Sequence, residues 1–175
     1  MQLIPIEWLP EAHMDRVIFH WTAGTYHAST EDLEHYHVVV QGDGIVVRGD
    51  HSVDDNEAPL NHDDYAAHTR NCNTGSIGIA VCCMAGAVES PFAAGEYPMT
   101  EYQWQMLIQA AAELCQAYGI QVTKETVLSH AEVQGTLGIT QSGKWDISRL
   151  PFALDLQGAG AVGDLFRSKV KELIS

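Results

Sequence analysis

The chain has 175 residues, of which 46% are hydrophobic and 18% are charged, and its formal net charge at pH 7 is −14. This length predicts a single domain spanning residues 1–175, large enough to bury a core without disulfides or metals. No apolar run is long enough to cross a bilayer, so we expect no membrane insertion. The acidic charge repels phosphate backbones, which argues against a nucleic-acid partner.

The N-terminal ten residues contain no Lys or Arg and are interrupted by Pro5 and Pro10. They lack the basic start and apolar middle of a secretory signal, so we expect synthesis in the cytoplasm without a signal peptide. The four cysteines show no C-x-x-C spacing and predict free thiols, although one disulfide is compatible with the sequence.

The first predicted element is a short buried strand that ends in a histidine. The apolar run Val17-Ile18-Phe19 leads to His20 and is followed by Thr22-Ala23-Gly24, where the chain should turn. A histidine at the end of such a strand can reach a cleft. A lone histidine is more often an ordinary residue at the edge of the core, so His20 needs partners elsewhere to indicate function.

A short helix and a hairpin follow. Capping residues and early acids predict a helical turn over residues 29–36. The β-branched runs on either side of Gly42-Asp43-Gly44 predict a β-hairpin over residues 36–48. Residues 49–70 lose this pattern and predict a long surface loop, a class of segment that is often functional.

The middle of the chain predicts a central strand and the main helix. Residues 76–83 are almost continuously apolar, which is typical of a strand buried on both faces. Residues 90–98 predict a loop. A capping box at residues 100–103 begins a helix with an apolar stripe from Trp104 to Tyr118, and Gly119 ends it.

The last third of the chain contains a second run with the pattern of residues 17–20. Residues 126–130 predict another apolar strand that ends in a histidine, His130. We interpret residues 131–143 as irregular. A C-terminal helix is predicted over about 162–174, with one face made of Val162, Phe166, Val170 and Leu173. The string at residues 158–163 matches G-x-G-x-x-G, but too little chain follows for a dinucleotide site, so we interpret it as a turn.

Two histidines at strand ends and one late aspartate could form a metal site. The two histidines and an aspartate in a late loop can supply three donors to Zn²⁺ and leave a fourth position open, which is the arrangement of catalytic zinc sites. The sequence contains 9 histidines and 23 acids, so many false triplets are possible. Neither H-E-x-x-H nor a nucleophile-elbow motif is present to narrow the choice.

Five short blocks carry a further signal when they are taken together and in order. The blocks are Phe19-His20-Trp21-Thr22-Ala23; Tyr36-His37-Val38-Val39-Val40 with Gly42-Asp43-Gly44; Ala67-His68 with Asn73-Thr74-Gly75-Ser76-Ile77-Gly78-Ile79; Ser129-His130-Ala131-Glu132-Val133; and Lys144-Trp145-Asp146. With these blocks the chain resembles the zinc-dependent N-acetylmuramoyl-L-alanine amidases of the peptidoglycan-recognition type, which include phage amidase lysozymes. The resemblance covers residues 17 to about 150.

The resemblance implies an α/β fold, a single domain with a mixed central β-sheet flanked by α-helices. It also implies that the metal is Zn²⁺, with His20, His130 and Asp146 as its ligands. Lys144 falls where the family places a cation beside the metal, and Tyr36 falls where one branch keeps a tyrosine near the zinc-bound water. The other branch, of recycling enzymes, places a glutamate where this chain has Ala80.

The resemblance implies substrate contacts as well, at His68 and at the rim residues Trp21 and Thr22. Simpler interpretations stay open, since Tyr36 could cover the sheet, His68 could be an ordinary loop histidine and Lys144 a surface lysine. His37 should point away from Tyr36 by strand alternation, so we interpret it as a core residue or as a residue that supports the site from behind. The histidines without a trusted match are His13, His27, His35, His51 and His62.

The implied function is zinc-dependent hydrolysis of the amide between N-acetylmuramic acid and L-alanine in peptidoglycan or muropeptides. We expect a monomeric endolysin-type lytic enzyme of a phage or prophage, which reaches the cell wall after release from the cytoplasm. The alternatives are a non-catalytic peptidoglycan-binding module, a cytosolic recycling amidase, a secreted antibacterial effector, and a sheet protein without a metal.

Overall fold

The computed structural model describes residues 2–61 and 63–175, so the prediction for His62 lies outside the described residues. Short 3-10 turns occur at Ile6–Trp8 and Val53–Asn56. The strands and helices are β1 (Arg16–Trp21), α1 (Thr30–His35), β2 (Val38–Val40), β3 (Val46–Arg48), β4 (Ser76–Val81), α2 (Glu101–Tyr118), β5 (Val127–Ser129), α3 (His130–Leu137) and α4 (Ala159–Ile174).

The five strands form one mixed sheet in the order β3-β2-β4-β1-β5. The β2–β3 hairpin is antiparallel, and β2, β4, β1 and β5 are mutually parallel. The predicted mixed sheet flanked by helices is therefore confirmed. Because β1 and β5 are parallel, their carboxyl ends meet at one edge, where ligands of open α/β sheets usually bind. His20 and His130 lie at this edge.

One face of the sheet packs against α2 and α4. Phe19 of β1 stacks on Phe166 of α4 with ring centroids 3.8 Å apart, and its edge meets Trp104 of α2. Side chains alternate along a strand, so Ile18 and His20 point to the opposite face. There Ile18 packs with Leu128 and with Val133 of α3. The apolar core therefore holds β1 rigidly while it presents His20 on the other face.

The long helix was predicted correctly. The side chain of Thr100 accepts from the backbone N–H of Gln103, and the side chain of Gln103 accepts from the backbone N–H of Thr100. Gly119 ends α2 in the left-handed conformation with φ 65°. Among the described residues, no helix is both long and apolar enough to cross a bilayer. All four cysteines are buried free thiols, as predicted.

The prediction of an irregular segment after His130 was wrong, because residues 130–137 form α3. Ser129 and Glu132 make a capping box, so His130 is the first residue of a helix rather than the last of a strand. The predicted turn at residues 158–163 was also wrong. Gly158 caps α4, which begins at Ala159, and Leu173 is 48% exposed instead of lying on the buried face.

The long loop after β3 is tied to the sheet by buried hydrogen bonds. His37 Nδ1 accepts from the backbone N–H of Gly78 at 3.0 Å, so its Nε2 donates to Asn56 Oδ1 at 3.0 Å. Asn56 in turn bonds both backbone groups of Ala66. His37 is thus a core residue, as predicted, and it anchors the segment that leads to His68.

Candidate active site

A cleft of about 970 Å³ lies at the carboxyl edge of the parallel strands. Four regions line it: the end of β1, helix α1, the loop at residues 67–70 and the segment from α3 to Asp146. All eight residues predicted for the site contribute to the cleft or to its base. These are Trp21, Thr22, Tyr36, His68, His130, Lys144 and Asp146, which line it, and His20, which lies beneath.

Three of these residues converge as a metal site would require. The Asp146 carboxylate lies between two imidazoles, with Oδ2 at 3.1 Å from His20 Nδ1 and Oδ1 at 3.4 Å from His130 Nδ1. The three ligand atoms lie within 4.8 Å of one another, and all three residues are buried. Asp146 is held in place because its backbone carbonyl accepts from Ala131 N–H at 2.7 Å, at the start of α3.

The protonation states of this group suit a metal. Burial, the largest influence, lowers the pKa of His20 to about 4, so the ring is neutral at physiological pH. Burial is the largest influence on Asp146 and alone would raise its pKa, but the neighbouring imidazoles of His130 and His20 bring it below its ordinary value. Two imidazoles and one carboxylate form a donor set that fits Zn²⁺ with a fourth position open.

His68 lies behind His20, with a ring-centroid separation of 5.4 Å. Its Nε2 lies 3.2 Å from the carbonyl of Ser76, which can only accept, so Nε2 donates and Nδ1 accepts from the Thr69 hydroxyl at 2.8 Å. Burial lowers the pKa of His68 well below its ordinary value. Both ring nitrogens already have protein partners, so the predicted substrate hydrogen bond requires one of these bonds to break.

Thr69 links this histidine to the metal group. Its hydroxyl oxygen lies 3.4 Å from His20 Nε2, on the side of the ring that faces away from Asp146. With its own proton given to His68, the oxygen can accept from His20. The glycine at residue 78 makes room for this packing, because a Cβ there would overlap the His68 ring.

Tyr36 and Lys144 lie on the cleft side of the metal group. The Tyr36 ring centroid is 5.0 Å from that of His20. Burial first, and then the charge of Asp146, raises the pKa of the Tyr36 phenol, so it keeps its proton at neutral pH. Lys144 is exposed on the wall of the cleft, two residues before Asp146.

The rim is built from aromatic and small residues. Trp21 is buried and packs edge-to-face on Trp145, with ring centroids 4.7 Å apart, which gives Trp145 the packing role predicted for it. Thr22 is half-buried and its Oγ1 accepts from Gly24 N–H at 3.1 Å.

Sequence reasoning missed several residues around the cleft. Thr69 and Gln141 contact the outer nitrogens of the two histidines, and neither belongs to a motif that would have indicated this. His27 and His35, which had no assigned role, also line the cleft beside Glu31 and Asp32. His13 and His51 do not line the cleft: His13 is exposed, and His51 pairs with Asp64 at 3.4 Å.

Comparison with known families agrees with this site. The model of the N-acetylmuramoyl-L-alanine amidase family matches residues 10–147, a span that contains all three members of the metal group. The chain belongs to this family. This amidase therefore acts on the amide bond between N-acetylmuramic acid and L-alanine, and the resemblance seen in the sequence is confirmed.

Solved structures show that the amidase shares a fold with bacterial and endolysin-type amidases. N-acetylmuramoyl-L-alanine amidase LysC from Clostridium intestinale URNW is 15% identical with a TM-score of 0.53, over 98% of this chain and 93% of that one. The endolysin amidase LysCS from the same organism is also 15% identical, with a TM-score of 0.53 over 98% and 91%. Staphylococcus aureus hydrolase AmiA is 14% identical, with a TM-score of 0.52 over 93% and 76%. No curated protein sequence gives a significant match.

Proposed function

We propose that this amidase is a zinc enzyme in which His20, His130 and Asp146 hold the metal. The convergence of three buried donor atoms within 4.8 Å at the base of the cleft is the observation that carries the proposal. When bound, Zn²⁺ supplies a Lewis acid and brings the pKa of a water molecule to about 7. A non-catalytic binding module would not need this complete set of ligands.

Lys144 and Tyr36 supply the remaining chemistry. Attack on an amide develops negative charge on its oxygen, and the Lys144 ammonium on the cleft wall can stabilise that charge. Tyr36 keeps its proton, so it acts as a hydrogen-bond donor that orients water or substrate, and not as the base.

Substrate binding is proposed at the rim. Trp21 and Thr22 line the same cleft as His130 and Asp146, so the sugar or the first amino acid of the peptide would lie against them. His68 acts mainly through Thr69 on His20, because its ring nitrogens are engaged within the protein.

The biological role that fits best is that of a monomeric endolysin-type enzyme, acting on the cell wall after release from the cytoplasm. Recycling amidases have a glutamate at the position that is Ala80 in this chain. Ala80 is fully buried beside His20 in the sheet, so that glutamate is absent here. LysCS, which shares the fold of this chain, is an endolysin amidase. A recycling enzyme would prefer soluble muropeptides over intact sacculi, so the two roles predict different substrate preferences.

The experiment is digestion of intact sacculi and of soluble muropeptides, with and without a chelator, followed by mass analysis. We expect new L-alanine amino termini, no new reducing sugar ends, and loss of activity with the chelator that added zinc restores. No chelator-sensitive release from either substrate would refute the proposal. Faster release from muropeptides than from sacculi would favour the recycling role.

Replacement of one ligand tests the assignment of the metal group. Asp146→Ala is expected to abolish zinc retention and activity while the circular dichroism spectrum stays that of a folded protein. Asp155→Ala removes an exposed aspartate from the same part of the chain and serves as the matched control. Full zinc retention in Asp146→Ala would exclude Asp146 as a ligand.

A further inference from the structure

Gln141 is a buried polar residue that no motif indicated, and three hydrogen bonds fix its position. Only 4% of the residue is exposed. Its side-chain Nε2 donates to the backbone carbonyl of Arg70 at 2.8 Å, and its backbone N–H donates to Gln134 Oε1 at 2.9 Å. Its side-chain Oε1 lies 2.8 Å from His130 Nε2. The amide therefore bridges the loop at residue 70 and the first residue of α3.

The orientation of this amide determines where the His130 proton lies. A backbone carbonyl can only accept, so the NH₂ end of Gln141 must face Arg70 and the oxygen must face His130. An amide oxygen can only accept as well, so His130 Nε2 has to carry a proton. In a neutral ring the lone pair is then on Nδ1, the atom that faces Asp146 at 3.4 Å.

The Asp146 carboxylate competes with Gln141 for the proton of the His130 ring. The Asp146 carboxylate attracts a proton to Nδ1, and a proton there would remove the lone pair that a metal needs. Gln141 opposes this with a hydrogen bond that is shorter, at 2.8 Å against 3.4 Å. Partners of this kind on metal-binding histidines commonly change metal affinity by about 10- to 100-fold.

We propose that Gln141 is a positioning residue that holds His130 as the tautomer protonated on Nε2, with the Nδ1 lone pair directed at the metal position. The proposal rests on the proposed function only in assigning His130 as a zinc ligand. Gln141 acts through His130, whose Nε2 it contacts at 2.8 Å.

The first test needs no metal. Long-range ¹H–¹⁵N correlation spectra of the metal-free protein distinguish the two neutral tautomers and the doubly protonated ring, and a His130→Asn sample assigns the signals. We expect Nε2 to be protonated in the wild type and in Gln141→Glu, which keeps an oxygen opposite His130. In Gln141→Leu we expect the proton to move to Nδ1. A wild-type ring protonated on Nδ1, or an unchanged tautomer in Gln141→Leu, would overturn the proposal.

The second test is the zinc dissociation constant, measured by competition with a coloured chelator. Gln141→Leu is expected to weaken zinc binding about 10- to 100-fold, whereas Gln141→Glu should stay close to the wild type. Gln157→Leu removes an exposed glutamine and is the matched control. Equal zinc affinity in Gln141→Leu and the wild type would refute the positioning role.

The two proposals fail in different ways. If the wild type binds no zinc, the proposed function fails, while the tautomer experiment still decides whether Gln141 controls His130. If Gln141→Leu does not fold, the comparison of Gln141→Glu with the wild type remains, and loss of the Nε2 proton in that variant would count against the proposal.

Discussion

Gly163 of α4 allows a buried ion pair that joins α4 to the helix carrying His130. A Cβ at this position would overlap the carboxylate of Glu132. That carboxylate pairs with Arg167 at 2.9 and 3.2 Å and accepts from Ser129 N–H at 2.9 Å, which caps α3. Gly163→Ala is therefore expected to displace Glu132 and destabilise the protein.

The magnitude follows from what Glu132 would lose. Breaking a buried pair by removing one partner costs about 3–5 kcal/mol. Arg167 keeps its bonds to Asp164 and to the carbonyl of Val127, which reduces the loss, and alanine gains up to about 1 kcal/mol over glycine in a helix. We expect a net loss of about 1–3 kcal/mol, with the melting temperature falling by about 2–4 °C for each kcal/mol.

The assay is urea and thermal unfolding followed by circular dichroism. Gly160→Ala is the matched control, because it lies in the same helix and a Cβ there meets nothing within 4 Å. That variant should be as stable as the wild type or up to about 1 kcal/mol more stable. Equal stability of the two variants would refute the argument that Glu132 and its ion pair occupy the space at Gly163.

Three further predictions concern the site, the core and the thiols. Tyr36→Phe should lower kcat about 10²- to 10³-fold, the loss typical of one transition-state hydrogen-bond donor, and unchanged turnover would remove the phenol from the mechanism. Burial lowers the pKa of His37 from 6.5 to about 4. Between these two pH values the unfolded chain binds a proton at His37 and the folded protein does not. The contribution of His37 to stability is then full above about pH 6.5 and should fall by about 3 kcal/mol toward pH 4. Urea unfolding across this range measures it, and an equal pH slope in His37→Gln would contradict the assignment. Burial raises the pKa of every cysteine thiol, so a thiol reagent at pH 8 should label none in the native protein and four in urea; the thiols are Cys72, Cys82, Cys83 and Cys115.

Local patterns in the sequence predicted most of the fold. The apolar run before His20, the hairpin around residues 42–44 and the capping box of α2 depend on neighbouring residues, whose periodicity reports directly on burial. Helix α3 was missed although its capping box, Ser129 with Glu132, is also local, because a short helix directly after a strand offers little periodicity. The identities of His20, His130 and Asp146 came from family motifs in order, and spacing alone would not have selected them.

Only the tertiary structure brought the three donor atoms together and gave their surroundings a chemical role. Thr69 is 49 residues from His20, and Arg167 is 35 residues from Glu132. Gln141 is only 11 residues from His130, yet its orientation depends on a carbonyl 71 residues away. A hydrogen bond requires atoms at about 3 Å and a defined donor direction. Those distances depend on how loops from distant parts of the chain pack against the same sheet edge, which no local pattern in the sequence encodes.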